Sequence, residues 1–289
     1  MSRRIKAAEM LEDIGRTPQA QKKLKALEQT IELIAKRMTV PYVIPVGTGH
    51  TVRFGVISDT HFGSLYCRAD ALSEMYDLYA SEGVTDVLCA GDMLAGHQVY
   101  RGQEWELRDR GWDEQRARFA ESLPRRKGIV THFITGNHDD SIKRLVGLEP
   151  GPQLAESRDD TRFVGAEAGR VILQTDSGRE VIVDLLHPGK GTAYALSYHP
   201  QKILEAMSGG TKPDILIIGH YHKAEFIPCY RNVACLQAGC FESQTPFMRR
   251  QTLAAHVGGW LVEVIVGEHS GLTSRVRAEF VAFYEPGQT

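Results

Sequence analysis

Five short apolar segments in this chain each lead into side chains of the kind that bind metal ions. The residues that follow the five segments are Asp59-Thr60-His61, Gly91-Asp92, Gly136-Asn137-His138-Asp139, His187 and Gly219-His220-Tyr221-His222. Apolar runs of this length are typical of buried strands, and enzymes built on sheets bind their ligands at the carboxyl ends of strands. We therefore expect a sheet-based fold in which polar loops at the strand ends meet at one site.

The order of the predicted elements indicates an α/β fold with two sheets. A strand over 52–58, a helix over 69–82 and a strand over 86–90 form a βαβ unit, and a hairpin turn joins strands at 170–175 and 180–186. Further helices are predicted over 113–122 and 194–208, and further strands at 129–135, 214–218, 224–230, 233–238, 260–266 and 273–283. The chain is thus predicted to form two mixed sheets packed together, with helices outside.

The composition is that of an ordinary globular protein without a strong overall charge. The 289 residues are 42% hydrophobic and 24% charged, and the formal net charge is -2. This balance provides no general attraction to nucleic acid. Two bound divalent cations would nevertheless add about four positive charges where a phosphate must bind. A phosphate-containing substrate is therefore compatible with the near-neutral total.

The cysteines and the distribution of apolar residues favour a cytoplasmic protein. The five cysteines are odd in number and include no Cys-x-x-Cys pair, so we expect reduced thiols rather than disulfides or metal ligands. A charged, helix-like pattern follows Met1 in place of the apolar core of a signal peptide. No apolar run is long enough to span a bilayer. The predicted localisation is therefore the cytoplasm.

Residues 1–40 are predicted to form a basic helical hairpin that precedes the main domain. Residues 1–38 carry nine Lys/Arg against five Asp/Glu, and Gly15 separates a short first helix from a longer second one that begins at Thr17-Pro18. Residues 41–50 contain two prolines and two glycines and are predicted to be a linker. The main domain is predicted to cover 51–289.

The hairpin allows three interpretations. It could be a helix-turn-helix that contacts DNA, a dimerisation element that would make the protein a homodimer, or an amphipathic hairpin packed on its own chain. The second helix is long for a recognition helix, and the basic residues are spread around it. These features favour the packed hairpin, with the other two roles as alternatives.

Seven side chains at the strand ends are predicted to hold two divalent metal ions. They are Asp59, His61, Asp92, Asn137, His187, His220 and His222. Carboxylate and amide oxygens suit hard cations, and imidazoles shift the preference towards Mn, Fe, Zn or Ni over Mg and Ca. We expect Mn, with Fe, Zn, Ni or Mg as alternatives. Four further histidines are predicted to have structural roles and not to bind metal: His97, His132, His199 and His256.

The five motifs resemble those of the calcineurin-like metallophosphoesterases, which have Asp-x-His, Gly-Asp, Gly-Asn-His-Asp/Glu, a single His and Gly-His-x-His in this order. The match covers about residues 52–222 and leaves the helices of 1–40 outside. The resemblance implies a four-layer αββα sandwich over the main domain. It also implies that Asp92 bridges the two ions. One ion would be held by Asp59, His61, Asp92 and His222, and the other by Asp92, Asn137, His187 and His220.

The resemblance also implies a mechanism that agrees with the residues themselves. Two ions about 3.5–4 Å apart can share a water, lower its pKa and present the resulting hydroxide to phosphorus as the nucleophile. His138 is not a ligand in the family pattern and is expected to protonate the leaving oxygen or stabilise the transition state. Asp139 is expected to orient the His138 ring; capping of the loop is the alternative.

For the substrate class, our leading hypothesis is nucleic acid, and DNA in particular. The Gly-Asn-His-Asp motif followed by Asp140 resembles the repair-nuclease branch, and the helices of 1–40 resemble those of phage and archaeal metallophosphatases. The segment 97–122 interleaves aromatic and basic residues as a surface that stacks single strands would, namely Tyr100, Arg101, Trp105, Arg108 and Trp112. Within it we predict substrate contacts for His97, Tyr100 and Arg101; the alternative is that this segment only covers the core.

Two other functions remain open. The first is a phosphodiesterase or phosphatase that acts on a small nucleotide-type molecule. The second is a DNA-binding or scaffold module whose metal centre has no catalytic role. Structural metal sites tend to be closed and rich in thiolates, whereas the predicted ligands here are oxygen and nitrogen atoms. The sequence therefore favours an enzyme over the scaffold.

Overall fold

The computed structural model describes residues 42–45, 50–175, 178, 180–189, 191, 193, 195–267 and 273–284. The predicted helical hairpin of residues 1–40 lies outside this part of the chain, so its fold and its possible role in dimerisation stay predictions. Among the described residues, no helix is both long and apolar enough to cross a bilayer.

The described strands form two six-stranded sheets. In chain order the strands are β1 (Tyr42–Pro45), β2 (Thr51–Ile57), β3 (Asp86–Cys89), β4 (Val130–Thr135), β5 (Thr161–Ala166), β6 (Ala168–Gln174), β7 (Glu180–Leu186), β8 (Ile215–Ile218), β9 (Ala224–Tyr230), β10 (Val233–Ala238), β11 (Gly258–Val266) and β12 (Thr273–Ala282). One sheet has the order β12-β11-β2-β3-β4-β5, and the other has the order β1-β6-β7-β8-β10-β9.

Both sheets are mixed, as the order of the predicted elements indicated. In the first sheet, β2, β3, β4 and β5 are parallel. At one side of this sheet, β11 pairs antiparallel with β2, and β12 pairs antiparallel with β11. In the second sheet, β7, β8 and β10 are parallel, and β6 pairs with β7 as the predicted antiparallel hairpin. The parallel strands of each sheet therefore bring their carboxyl ends to one edge.

Helices cover the outer faces of the two sheets. They are α1 (Ala69–Ser81), α2 (Trp112–Ser122), α3 (Asn137–Val146), α4 (Pro150–Glu156) and α5 (Tyr198–Ala206); a short further helix, α6 (Pro246–Arg250), follows β10 in the chain. One apolar core lies between the sheets and includes Phe54 and Leu236. A second packs α1 and α2 against the first sheet, and a third packs α5 against the second sheet. These three cores separate four layers, which confirms the predicted αββα sandwich.

The packing of α1 shows how the outer layers are held. The ring of Tyr79 is fully buried, and its hydroxyl donates to the carbonyl oxygens of Val56 at 3.0 Å and Trp260 at 3.1 Å. Gly55 makes room for it, since a Cβ atom there would lie 2.5 Å from the Tyr79 Cζ. The burial of a large ring with its hydroxyl satisfied stabilises the helix on the sheet.

Two local predictions are wrong. The predicted linker over 41–50 contains β1, which pairs in parallel with β6 and buries Ile44 between the sheets. The predicted polar loop after β4 is instead the first turn of α3, which begins at Asn137. The prolines at 41 and 45 suggested a linker, yet a proline is compatible with an edge strand such as β1. Strand β5 and helices α3, α4 and α6 were not predicted.

Candidate metal centre

The predicted metal ligands follow five strands whose carboxyl ends meet at one edge of the sandwich. Asp59, Asp92 and Asn137 follow β2, β3 and β4 of one sheet, and His187 and His220 follow β7 and β8 of the other. The two sheets pack face to face, so these ends converge. The structure thus brings together side chains that are up to 163 positions apart in the sequence, between Asp59 and His222.

One group of ligand-type atoms consists of Asp59, His61 and His222. The His61 Nε2 and His222 Nε2 atoms lie 3.1 Å apart, and the Asp59 Oδ1 atom is 3.3 Å from the His222 Nε2 and 3.7 Å from the His61 Nε2. All three side chains are buried. Burial opposes ionisation of Asp59, but the two histidines outweigh it and hold the pKa of Asp59 well below its usual value.

A second group consists of Asp92, His187 and His220. The His187 Nε2 atom lies 3.0 Å from the Asp92 Oδ2, and its Nδ1 atom bonds to the carbonyl oxygen of Ala90 at 2.7 Å. Burial opposes protonation of His187, but the Asp92 carboxylate outweighs it and raises the pKa of His187 to about 10. Ligand atoms of Asp92 and His61 also lie within 4.8 Å of one another, so Asp92 lies between the two groups.

The buried polar atoms of the centre fit divalent cations. The Asn137 Oδ1 atom is buried and has no hydrogen-bond partner among the described residues. An unpaired buried polar atom is costly, and a metal ion would satisfy it. The donor set of carboxylate, amide and imidazole atoms is also one that first-row divalent metals accept. The residues present therefore fit a pair of divalent ions.

The backbone at the centre is held in an uncommon conformation. Five non-glycine residues adopt left-handed φ angles, namely Asp59 at 51°, His61 at 46°, Asp92 at 51°, His220 at 76° and His222 at 54°. Such angles carry a cost for residues with a Cβ atom and cluster at functional sites. Hydrogen bonds between loops stabilise them, including the bond from the Asp59 N–H to the Gly91 carbonyl oxygen at 2.9 Å.

Glycines next to the ligands allow the loops to approach closely. A Cβ atom on Gly136 would overlap the Asp92 Oδ1 and lie 2.7 Å from the His187 Nε2. A Cβ atom on Gly91 would overlap the His187 ring in the same way. The glycines of the Gly-Asp and Gly-Asn-His-Asp motifs are therefore required by the close packing of the candidate ligand side chains around them.

His138 lies at the edge of the centre in a defined orientation. Its backbone N–H donates to the Asp92 Oδ1 at 2.8 Å, and its Nδ1 atom bonds to the Ala95 carbonyl oxygen at 2.6 Å. The Nδ1 atom must carry a proton for this bond, so Nε2 is the ring nitrogen left for other partners. Burial lowers the pKa of His138 to about 4, against the attraction of the Asp92 carboxylate. The ring is therefore neutral at pH 7 in the free protein.

The prediction that Asp139 orients the His138 ring is wrong. The Asp139 Oδ2 atom accepts hydrogen bonds from the N–H groups of Gly136 at 2.9 Å and Met93 at 3.2 Å, and its Oδ1 atom accepts one from Leu94 at 2.8 Å. The carboxyl group thus joins the start of α3 to the loop after β3. The capping alternative describes its contacts, while the Ala95 carbonyl oxygen orients the ring.

A pocket of about 270 Å³ opens beside the centre and includes Tyr100 but neither His97 nor Arg101 in its lining. His97 and Arg101 line a neighbouring pocket, which Tyr100 also borders. The structure therefore places one of the three predicted substrate contacts next to the ligand groups. The other two face a separate depression further along the same loop.

Sequence reasoning missed Glu242, which lines the same pocket. Its Oε2 atom lies 3.9 Å from the His61 Nε2, and the residue is buried. Burial lowers the pKa of His61, but the Glu242 carboxylate outweighs it and raises that pKa. Glu242 follows β10, which neighbours β8, so the rule of ligand-type residues at strand ends could have found it.

The remaining histidines that were assigned structural roles lie outside the three candidate ligand groups of the described residues. The His132 Nε2 bonds to the Asp86 Oδ1 at 2.8 Å within the first sheet, and the His256 Nδ1 accepts the Ala224 N–H at 3.0 Å. His199 stacks on Tyr221 with ring centroids 4.7 Å apart. The five cysteines are free thiols, three of them buried.

Comparison with known proteins gives two kinds of relative. The chain is 29% identical over 254 residues to the DNA polymerase II small subunit of Halobacterium salinarum, which covers 74% of this chain and 48% of that protein. It is 26% identical over 270 residues to the DNA polymerase II small subunit of Methanocaldococcus jannaschii, covering 75% and 43%. The chain thus spans less than half the length of these relatives.

Among solved structures, a predicted phosphoesterase from Streptococcus pneumoniae is 14% identical, with a TM-score of 0.40, and the match covers 81% of this chain and 91% of that one. The sequence profile of the calcineurin-like phosphoesterases matches residues 52–224, which include all five motifs and both ligand groups. This chain belongs to the calcineurin-like phosphoesterase family.

Proposed function

We propose that the chain is a metal-dependent phosphodiesterase that hydrolyses nucleic acid, with DNA as its substrate. The observation that carries the proposal is the convergence of two ligand groups, with Asp92 lying between them, beside an open pocket that also contains His138. A purely structural metal site would be closed. A centre that lies beside a pocket can receive a substrate.

The ligand roles combine this grouping with the pattern of the family. Asp59, His61, Asp92 and His222 would hold one divalent ion, and Asp92, Asn137, His187 and His220 would hold the other. When bound, the two ions would supply positive charge to the phosphate oxygens and lower the pKa of water. The hydrogen bond from His187 to the Ala90 carbonyl oxygen fixes the tautomer that leaves Nε2 free to bind a metal.

His138 would act on the leaving oxygen of the phosphodiester. Its Nδ1–H is held by Ala95, so the Nε2 atom is the one that can bond to substrate. The imidazole is neutral in the free protein, and the negative charge of an incoming phosphodiester raises its pKa. Once Nε2 carries a proton, it can donate a hydrogen bond and then the proton to the oxygen that departs.

Two observations support DNA over a small molecule. The relatives in Halobacterium salinarum and Methanocaldococcus jannaschii are DNA polymerase subunits by name. Exposed arginines also lie next to pocket residues in the sequence: Arg101 follows Tyr100, and Arg249 and Arg250 follow Met248. Positive side chains near the scissile bond would bind neighbouring phosphates of a strand. A mononucleotide has no neighbouring phosphates for these side chains to bind.

The test is a panel of substrates with the Mn-loaded protein: single-stranded DNA, duplex DNA, RNA, cyclic nucleotides and phosphomonoesters. We expect hydrolysis of DNA that weakens steeply with salt and is abolished in Asp92→Asn and His138→Ala. Asp77→Asn is the matched control, because Asp77 is an exposed surface partner of Arg126. Turnover of mononucleotides that salt does not affect would instead identify a small-molecule enzyme.

The scaffold alternative gives a different result in the same panel. A protein that binds Mn and DNA but hydrolyses none of the substrates would be a non-catalytic metal-bound module. That outcome would overturn the proposed activity.

A further inference from the structure

An aromatic pair forms one wall of the pocket beside the ligand groups. The rings of Tyr100 and Phe247 are stacked, with centroids 4.2 Å apart and planes at 22°. The Tyr100 ring centroid lies 6.3 Å from that of His138. Both side chains are half-buried and line the pocket. A flat aromatic surface therefore stands next to the residue that faces the proposed leaving group.

The pair is fixed in place by one buried carboxylate. The Tyr100 hydroxyl donates to the Glu106 Oε2 at 2.7 Å, and the Phe247 backbone N–H donates to the Glu106 Oε1 at 3.2 Å. Glu106 is 5% exposed. A single side chain thus joins the loop of Tyr100 to helix α6, which is far away in the sequence. Rings held in this way lose little freedom when a ligand binds, which favours affinity.

The loop that carries Tyr100 is also held independently of Glu106. The buried Gln103 side chain donates to the Ala95 carbonyl oxygen at 2.7 Å and accepts the Val99 N–H at 2.8 Å. The Ala95 carbonyl oxygen also bonds to the His138 ring. The position of the aromatic wall is therefore coupled to the position of His138 through a short series of hydrogen bonds.

The rest of the pocket suits a planar ring with polar edges. Val99, Met248 and Leu253 extend the apolar wall, whereas Lys223 and Glu242 lie among its polar lining residues. The volume of about 270 Å³ is just under the range of roughly 300–1,000 Å³ that is usual for pockets that bind drug-sized molecules. It suits one nucleoside better than a longer stretch of strand.

We propose that Tyr100 and Phe247 form a subsite that binds one nucleobase by stacking, next to the phosphodiester to be cleaved. The inference rests on the proposed function, because it places the base relative to that site. Aromatic side chains stack on any base and give affinity without strong sequence preference. The subsite thus selects nucleotides over phosphate esters that lack a ring, and it does not require a particular base.

Fluorescence of 2-aminopurine tests the stacking without any catalysis. The full chain is stripped of metal with EDTA and titrated into a deoxytrinucleotide whose central base is 2-aminopurine. Stacking on an aromatic ring quenches this fluorophore, so we expect saturable quenching with the wild-type protein. A parallel titration of 2-aminopurine riboside 5′-monophosphate shows whether a single nucleotide is enough for stacking or whether the neighbouring nucleotides of a strand are also needed.

Three variants locate the effect. We expect Phe247→Ala to weaken binding about tenfold, which is within the range for loss of one stacked base, and Phe247→Tyr to restore it because the ring is retained. Tyr284→Ala is the matched control, since Tyr284 is 74% exposed and lines a different pocket. Equal quenching by the wild type and Phe247→Ala would overturn the subsite. If Phe247→Ala fails to fold, Tyr100→Leu gives the same comparison.

Hydrolysis separates failure of the subsite from failure of the proposed function. With Mn, the ratio of kcat/KM for a dinucleotide to kcat/KM for its analogue lacking the bases is expected to be about tenfold or more. Equal values would overturn the subsite while leaving the phosphodiesterase intact. Quenching in the metal-free protein together with no hydrolysis of either compound would overturn the activity while leaving the subsite intact.

Discussion

Residues with left-handed backbone angles concentrate at the candidate metal centre. Asp59, His61, Asp92, His220 and His222 all have positive φ, at a cost of about 1–3 kcal/mol each. Folding must therefore offset several kcal/mol to hold these side chains where they are. The neighbouring glycines relieve the crowding that this arrangement creates, so the small residues are as much part of the centre as the ligands.

Gly136→Ala tests this dependence at a position that binds nothing. The added Cβ atom would overlap the Asp92 Oδ1, and a displacement of about 1 Å in an active site costs on the order of 100-fold in rate. We expect such a loss of Mn-dependent activity in a protein that still folds. Gly210→Ala is the control, because a Cβ atom there would meet no heavy atom within 4 Å. Wild-type activity in Gly136→Ala would contradict the packing argument.

Glu242→Gln tests the carboxylate that sequence reasoning missed. The change removes a negative charge that lies 3.9 Å from the His61 Nε2. Groups just outside a metal's ligands typically contribute about 10–100-fold to affinity, so we expect Mn to bind at least about tenfold more weakly in calorimetric titration. Glu74→Gln is the control, because Glu74 is exposed. An unchanged Mn affinity would exclude Glu242 from the electrostatics of the centre.

Strand β1 shows how an element can be integral to the fold although its sequence is typical of a linker. Ile44 is 4% exposed between the sheets, whereas the adjacent Val43 points outward and is 50% exposed. The alternation is that of a strand with one buried face. The four residues of β1 therefore belong to the sandwich, and the main domain begins before residue 51.

The two faces of β1 provide a matched pair of substitutions. Ile44→Asp buries an unpaired charge and is expected to lower the free energy of unfolding by about 3 kcal/mol or more. Val43→Asp places the same charge in solvent, and a change within about 0.5 kcal/mol is expected. Urea unfolding of the two variants measures the difference. Equal stabilities would mean that residues 41–50 behave as the linker that the sequence indicated.

Helix α3 depends on Asp139 in a way that also has a clear test. The Asp139 carboxyl group accepts three backbone hydrogen bonds, from Gly136, Met93 and Leu94. In Asp139→Asn one acceptor oxygen is replaced by a donor, and leaving a buried N–H unsatisfied costs about 1–3 kcal/mol. Thermal unfolding of this variant should show that loss. Asp113→Asn, in the exposed first turn of α2, is the control and should keep the melting temperature of the wild type. Equal melting temperatures for Asp139→Asn and the wild type would refute the bridging role.

The elements divide into those that local patterns predict and those that need the whole fold. Strands β2, β3, β4 and β7 carry buried apolar runs and were predicted within a few residues. Helix α3 was missed because its first turn consists of Asn137, His138 and Asp139, which are poor helix formers by propensity. Its start is stabilised by contacts between Asp139 and the loop after β3, and no local pattern contains that information.

At the scale of the whole molecule, the two sheets act as one support for the centre. Three ligand-bearing strand ends come from one sheet and two from the other, so the distances between the ligand groups depend on how the sheets pack. The convergence of the ligand-type residues was predictable because each motif follows its own strand. The stack of Tyr100 on Phe247 was not, since the two residues are 147 positions apart and meet only through tertiary packing.

The most direct test of the account is the number of Mn ions bound per chain. Protein stripped with EDTA is dialysed against Mn, and the bound metal is measured by mass spectrometry. We predict two ions per chain in the wild type and fewer than one in Asp92→Asn, because both proposed ion sites share Asp92. A wild-type protein that binds no Mn, or an Asp92→Asn variant that binds as much as the wild type, would contradict the proposed centre.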